Sequence, residues 1–119
     1  MASRIKPRRG EVWLVNFDPA IGPEIQKTRP ALIIQNDTGN RVAPTTIVAA
    51  ITSKFKRRFP FQVLIVAGEG GLDIDSVVTL NHIRTIDNAR LVRRLGAVSA
   101  CIMEQVDGAI LISLGVDLE

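Results

Sequence analysis

The sequence predicts a mainly β, α+β fold: about six short, mostly antiparallel strands in a small, strongly bent sheet or barrel, with one packed C-terminal helix. The core must be built largely from Val, Ile, Leu and Ala, since the 119 residues include only four Phe, one Trp and no Tyr. This composition favours a sheet over a helical bundle. Apolar runs near the average strand length of about five residues also alternate with turn-forming segments.

The first two strands are separated by a long loop. EVWLVNF at residues 11–17 is rich in β-branched and aromatic residues and is ended by the prolines and glycine of DPAIGP. The loop continues to Arg29. Pro30 then opens the second strand, residues 30–35, because the first position of a strand can dispense with its N–H.

Four further strands follow a turn-rich connector, NDTGNRVAPTT. The apolar run TIVAAIT predicts a strand buried on both faces, and GEGG predicts a tight turn. The four predicted strands are residues 46–52, 61–66, 76–80 and 82–86.

An amphipathic helix is predicted at the C-terminal end. Ser99 can cap it, and Ile102, Val106 and Ile110 recur every four residues to form an apolar stripe. Gly108 inside this helix costs about 1 kcal/mol relative to Ala. Cys101 beside the stripe is predicted to be a small buried hydrophobe.

Composition narrows the class of protein. The length predicts one domain over residues 1–119, with a mobile basic arm at residues 1–9. A net charge of +3 favours a polyanionic partner such as nucleic acid. The single cysteine provides no intrachain disulfide framework and fits a reducing compartment. The absence of a signal peptide and of an apolar run of about 20 residues predicts a soluble cytoplasmic protein that makes no membrane contact.

Several chemistries are excluded by what the sequence lacks. One histidine and one cysteine cannot form a Cys/His metal site, and the sequence contains no HExxH motif, Gly-rich phosphate loop or GxSxG elbow. We therefore predict no metal site and no cofactor. The remaining candidates are arginines close to threonine, with asparagine and the lone His82 nearby.

Four segments resemble the signature segments of MazF/PemK-type toxins, which are endoribonucleases (mRNA interferases) of type II toxin–antitoxin systems. They are RGEVW, KTRPALIIQND, IVAAITSK and HIRTID, and the resemblance runs from about Arg9 to the C-terminus in the same order. It implies an SH3-like barrel, a homodimer and sequence-specific, metal-independent cleavage of single-stranded RNA. It further implies that a ribose 2′-OH attacks the adjacent phosphate, leaving 2′,3′-cyclic phosphate and 5′-OH ends. A cognate antitoxin is expected to inhibit the toxin through an acidic segment that folds on binding.

The resemblance also implies site residues. The catalytic arginine of the family falls on Arg29 and its catalytic threonine on Thr52. A fixed guanidinium can stabilise the charge that develops on the phosphate oxygens, and a threonine hydroxyl can add one hydrogen bond. At position 82 the family often has glutamine, so His82 is a departure. The predicted RNA-binding residues are Glu24, Lys27, Asn36, Ser53, Lys54, Phe59, His82 and Arg84.

Alternatives remain at the level of the sequence. The basic loop around Phe55 and Phe59 is either an RNA-binding surface or a solvated loop whose phenylalanines pack inward. Arg84 either contacts RNA or pairs with an acid such as Asp87. The whole chain is alternatively a toxin of the same fold that poisons a topoisomerase without cutting RNA, or a regulatory nucleic-acid-binding module.

Overall fold

The described residues, 5–17 and 28–117 of a computed structural model, form one antiparallel sheet of six strands with a helix packed on one face. The strand order across the sheet is β4-β5-β3-β2-β1-β6. A short helix α1 follows β2, and the longer helix α2 follows β6. The elements are β1 Glu11–Asn16, β2 Thr28–Ile33, α1 Asp37–Val42, β3 Thr45–Thr52, β4 Gln62–Ile65, β5 Ser76–Asp87, β6 Leu91–Ala97 and α2 Ala100–Leu114.

The predicted bent antiparallel sheet with a C-terminal helix is confirmed, but the sheet is not a closed barrel. Its terminal strands β4 and β6 are not hydrogen-bonded to each other. Instead, a short 3-10 turn after β4, Glu69–Gly71, packs against β6. A Cβ atom on Gly71 would lie 2.1 Å from the carbonyl oxygen of Leu95. The sheet therefore bends far enough for its two ends to touch, and a glycine is required where they do.

Two apolar clusters lie on opposite faces of the sheet, as the alternation of side chains along a strand requires. The first, on the helix face, includes Leu32 and Ala49 together with Val106 of α2. The second lies on the face away from α2, which we call the far face. Its buried members are Val15, Ala31, Ile33, Val48, Ile86 and Leu91.

The structure corrects the predicted start of the second strand. Arg29 was expected to end the loop, but it lies inside β2, which begins at Thr28. The strand extends past Pro30 because it pairs with β1 as far as Thr28, whereas its pairing with β3 stops at Ala31. Pairing with β1 therefore continues through Pro30, which lacks an N–H, whereas pairing with β3 does not.

Two further predictions were wrong in detail. Residues 76–80 and 82–86 belong to the single strand β5, since a bulge between them keeps both parts paired with β3. Strand β6 was not predicted because Arg93 and Arg94 interrupt its apolar pattern. An edge strand tolerates such charges, since one of its sides faces solvent.

The connector after β2 contains helix α1, which the turn-rich sequence did not reveal. Asn36 caps this helix by accepting a hydrogen bond from the N–H of Gly39 at 2.7 Å. Asn40 of the helix is buried and accepts a hydrogen bond from the hydroxyl of Thr46 at 2.7 Å. These contacts fix the connector against the start of β3.

Arg9, predicted to lie in a mobile arm, is instead fixed by three contacts. Its backbone N–H donates to Asp37 at 2.8 Å, its Nε donates to the carbonyl of Ile34 at 2.8 Å, and a terminal nitrogen pairs with Asp107 of α2 at 2.6 Å. The hydrogen bond from the Arg9 backbone, followed by that from Asn40, lowers the pKa of the Asp37 carboxyl below its ordinary value of 3.8. The start of the sheet is thereby tied to both helices.

Helix α2 matches its prediction. The Ser99 hydroxyl accepts a hydrogen bond from the N–H of Ile102 at 3.2 Å, and Val106 and Ala109 are buried against the sheet. Cys101, however, is exposed and not buried. Its position on the helix turns it away from the apolar stripe, towards the side that carries Gln105. No helix among the described residues is both long and apolar enough to cross a membrane.

Candidate active site

The pairing of β2 with β3 brings Arg29 and Thr52, which lie far apart in the sequence, to the same end of two adjacent strands. Strands β2 and β3 pair antiparallel, with Ala31 opposite Ala50. Two residues beyond this last pair, at the same end of the two strands, are Arg29 and Thr52. Because side chains alternate between faces, both point to the far face. The two predicted catalytic residues therefore lie at the same end of two adjacent strands and on the same face of the sheet.

A cavity of about 320 Å³ opens on the far face beside Arg29. Small side chains such as Ala50 leave room on its floor, and charged or polar side chains converge on it from β2 and β5. An apolar floor with a few convergent polar groups is typical of a ligand site. Residues lining the cavity include Phe17, Arg29, Val48, Ala50, His82 and Arg84.

The two arginines of this cavity have no carboxylate partner among the described residues. The described ion pairs join Arg9 to Asp107 and Arg94 to Glu11. The guanidinium of Arg84 lies over the ring of Phe17, with its carbon 5.1 Å from the ring centroid. Two guanidinium groups beside one cavity can bind an anion such as a phosphate.

The predicted alternative partner of Arg84 is already engaged elsewhere. The carboxylate of Asp87 accepts a hydrogen bond from the N–H of Ala89 at 2.8 Å and caps the short turn that follows β5. The ion pairs among the described residues do not include the supporting pair of Arg84 with Asp87 that the sequence allowed. Its described contact is the aromatic ring of Phe17.

Thr52 is oriented by the loop that follows β3. Its Oγ1 accepts a hydrogen bond from the N–H of Lys54 at 3.1 Å. A hydroxyl has one donor and two acceptor positions, so accepting this bond leaves its proton available for an oxygen of a ligand. The exposed Ser53 and Lys54 border Thr52 on the same side of the molecule.

The basic loop presents an aromatic surface. Phe59 is 42% exposed, and its ring stacks on that of Phe61 with a centroid distance of 5.4 Å and an interplanar angle of 4°. The guanidinium of Arg57 lies 5.1 Å from the centroid of Phe59. A second cavity of about 440 Å³ is lined by Lys54, Phe55, Lys56, Arg57, Phe59 and Gln62. Phe59 therefore does not pack inward, whereas Phe55 is partly buried.

Of the predicted RNA-binding residues that the structure describes, Asn36 is not at this surface. Asn36 lies beyond the opposite end of β2, and its side chain oxygen caps α1. Glu24 and Lys27 lie outside the described residues.

Sequence reasoning missed Phe17 and Gln62, which line the two cavities, and Phe61, on which the ring of Phe59 stacks. Phe17 and Phe61 looked like ordinary strand residues. Gln62 fixes the aromatic loop by accepting a hydrogen bond from the N–H of Phe59 at 3.0 Å. The three-residue spacing of Phe59 and Gln62 was the sequence feature that could have revealed this hydrogen bond.

Across residues 5–17 and 28–117, no three His, Cys, Asp or Glu side chains come together in a way that could hold a metal ion.

The fold and the site together define an α+β protein with a cationic site on the open face of a bent sheet. Residues 8–114 match the family described as "PemK-like, MazF-like toxin of type II toxin-antitoxin system". This match covers most of the chain. The chain therefore belongs to the PemK/MazF family of toxins.

Solved structures support this assignment over the whole fold. A MazE–MazF complex from Deinococcus radiodurans is 30% identical, with 95% of this chain and 100% of that chain covered and a TM-score of 0.76. An endoribonuclease from a mycobacterial species, in complex with its cognate antitoxin, is 25% identical over 95% of this chain and 99% of that chain, with a TM-score of 0.78. The Mycobacterium tuberculosis toxin MazF-mt6 is 25% identical over 90% and 98%, with a TM-score of 0.77.

Proposed function

We propose that this chain, a single toxin domain over residues 1–119, is a sequence-specific endoribonuclease that cleaves single-stranded RNA without a metal ion. The endoribonuclease class rests on membership of the toxin family and on the names of the solved neighbours. The observation that carries the proposal for this site is that Arg29 and Arg84 line one cavity, while Thr52 lies at the corresponding end of β3, the strand next to β2.

The chemistry that suits these residues is attack of a ribose 2′-OH on the adjacent phosphate. The reaction gives a 2′,3′-cyclic phosphate and a 5′-OH end, and negative charge grows on the phosphate oxygens as it proceeds. Arg29 presents several donors in a planar fork and lies on a strand, so it can stabilise that charge with little reorganisation. Thr52 adds a hydrogen bond from a stiff β-branched side chain.

The exposed loop after β3 suits the binding of unpaired nucleotides. Unpaired bases stack on aromatic rings, while cations follow the phosphate backbone. Phe59, supported from behind by Phe61, offers such a ring, and Lys54, Lys56 and Arg57 surround it. We assign this loop to the RNA-binding surface and expect it to contribute to the choice of sequence.

The protein partners that we propose are an antitoxin and a second copy of the toxin. Two of the solved relatives are in complexes with an antitoxin. We propose that this toxin also has a cognate antitoxin, and that an acidic segment of it folds onto the cationic face and excludes RNA. We further propose that the toxin acts as a homodimer in the cytoplasm.

The proposal is tested by incubating the toxin with a long single-stranded RNA in EDTA and mapping the cuts by primer extension. We expect cuts at one short recurring motif with 2′,3′-cyclic phosphate and 5′-OH ends. Arg29→Ala should lower the rate about 100-fold or more, because it removes a preorganised donor to the developing charge. Arg29→Lys should also lose most of the activity, since an ammonium lacks the planar fork.

The matched control is Arg93→Ala, which removes one exposed arginine from β6, outside the cavity. It should cut at close to the wild-type rate. If well-folded toxin, freed of any bound antitoxin, leaves diverse RNA intact, the nuclease proposal is wrong, and binding of a protein such as a topoisomerase becomes the better explanation.

A further inference from the structure

The cavity contains the one histidine of the chain. His82 is exposed and lines the same 320 Å³ space as Arg29 and Arg84. Arg29 comes from β2 and His82 from β5, so the two side chains reach the cavity from different strands. An imidazole therefore shares a cavity with the guanidinium that we assign to the phosphate.

A bulge in β5 accounts for the position of His82. Strand β3 pairs Ala50 with Thr79 and the next residue, Ala49, with Ile83. Three residues of β5, 80–82, are therefore inserted opposite a single step of β3. Bulges of this kind change the direction of a side chain near functional sites. His82 is the last inserted residue, immediately before regular pairing resumes.

The proposed reaction needs a group that removes the proton from the 2′-OH. Arg29 stays protonated, and the hydroxyl of Thr52 is not basic near neutral pH. No carboxylate is among the described residues that line the cavity. An imidazole changes its protonation near neutral pH and is the most common general base in enzymes.

We propose that His82 is the general base of this toxin, an inference that rests on the proposed function. A neutral ring nitrogen of His82 accepts the proton of the 2′-OH as the O2′–P bond forms and the P–O5′ bond breaks. The departing O5′ takes a proton from water, and the imidazolium later returns its proton to solvent. Arg29 and Arg84, the charged groups that line the cavity with His82, interact with the phosphate charge.

The first test is the dependence of kcat/KM on pH for wild type, His82→Gln and His82→Ala, with a short RNA that contains the cut motif. The wild-type rate should rise with pH as the neutral base accumulates and then level off. Both variants should lose this rise, and their plateau rate should fall about 100-fold or more. Thr85→Ala changes an exposed residue of β5 outside the cavity and should keep the wild-type profile.

Two further measurements separate a base from a binding residue. Added imidazole should restore part of the activity of His82→Ala, because it can enter the space left by the side chain, but it should not rescue Arg29→Ala. An RNA with sulfur in place of O5′ at the cut has a leaving group that needs no proton. The defect of His82→Gln should persist on this substrate if His82 removes the 2′-OH proton.

The outcomes distinguish this inference from the proposed function. If wild type cuts RNA but His82→Gln retains the wild-type pH profile, only the role of His82 is wrong. If the defect disappears with the sulfur leaving group, His82 acts as an acid and the base assignment is overturned. If wild type fails to cut RNA in any of these assays, the nuclease proposal itself fails.

Discussion

Phe59 is the side chain of the basic loop that can contribute most to the affinity for RNA. Its ring is stacked on Phe61 on one side, is close to Arg57 and remains 42% exposed. An aromatic ring held in this way loses little freedom when a base stacks on it. A bound base can displace Arg57 from the ring, or Arg57 can stack on the base once it is bound. Either change is possible because the contact is an exposed cation–π pair worth only about 0.5–1 kcal/mol.

Phe59→Leu should therefore weaken RNA binding while leaving the chemistry intact. Stacking of one base is worth about 1–3 kcal/mol, so KM should rise roughly 5- to 150-fold with kcat nearly unchanged. Phe59→Trp, which keeps a π surface, should stay near the wild-type KM. The measurement is steady-state cleavage of a short RNA. A fall in kcat at constant KM for the leucine variant would contradict a role in base stacking.

Two glycines illustrate how secondary-structure elements impose different requirements. Gly108 lies in the middle of α2, and a Cβ atom added there would meet nothing within 4 Å. Gly71 has a φ of 77° in the turn after β4, and an added Cβ atom would lie 2.1 Å from the backbone of β6. At Gly108 the effect of a side chain depends on helix propensity alone, whereas at Gly71 the turn after β4 packs directly against the backbone of β6.

Gly108→Ala should raise the free energy of unfolding by about 1 kcal/mol, the propensity difference between the two residues. Gly71→Ala should lower it by more than that, since the positive φ and the close backbone both oppose a Cβ atom. Urea unfolding of the two variants and wild type measures both effects. Equal stability of Gly71→Ala and wild type would show that the contact between the turn and β6 is not maintained in solution.

The strands show which elements can be predicted from local sequence. β1 and β3 are continuous apolar runs, and their bounds were predicted to within one residue. β6 was missed because LVRRLGA has no clear alternation, and it becomes a strand only by pairing with β1. The bulge that joins the two halves of β5 likewise exists only against β3.

At the scale of the whole molecule, the two faces of the sheet have different roles. The helix face is covered by α2, while the far face carries Arg29 and Arg84 beside the cavity. The net charge is only +3, so the attraction for RNA depends on the local arrangement of cations more than on the total charge. Exposed Lys54 extends this arrangement into the loop after β3.

RNA binding should therefore depend on salt through a few identifiable cations. The probe is a short RNA with a 2′-deoxynucleotide at the cut, which binds but lacks the attacking hydroxyl. Each phosphate contact on a single strand adds about 0.7 to the slope of log Kd against log salt concentration. Arg84→Gln and Lys54→Gln should each reduce the slope by about this amount, and Arg93→Gln should not. Equal slopes for all three variants would place the RNA on another surface.

Two residues of the candidate site, Arg29 and Thr52, stand in distinctive local segments. Arg29 in KTRPALIIQND and Thr52 in IVAAITSK were identified by resemblance, and the structure places them on adjacent strands. Asn36 was assigned to RNA from the same segment, and the structure shows that its side-chain oxygen caps α1, a contact that the segment alone did not reveal. A residue type in a motif shows what its side chain can do, and only its neighbours determine what it does.

The sequence by itself determined the mainly β class, the C-terminal helix with its Ser99 cap, and the two segments that carry Arg29 and Thr52. These features depend on short-range periodicity, capping and local motifs, which are written in neighbouring residues. Tertiary structure alone decided that Arg9 is fixed, that Cys101 is exposed, and that Phe17, His82 and Arg84 share a cavity with Arg29. Those features arise from pairing and packing between segments that are distant in the chain. No local sequence pattern shows which residues of two such segments will lie opposite each other.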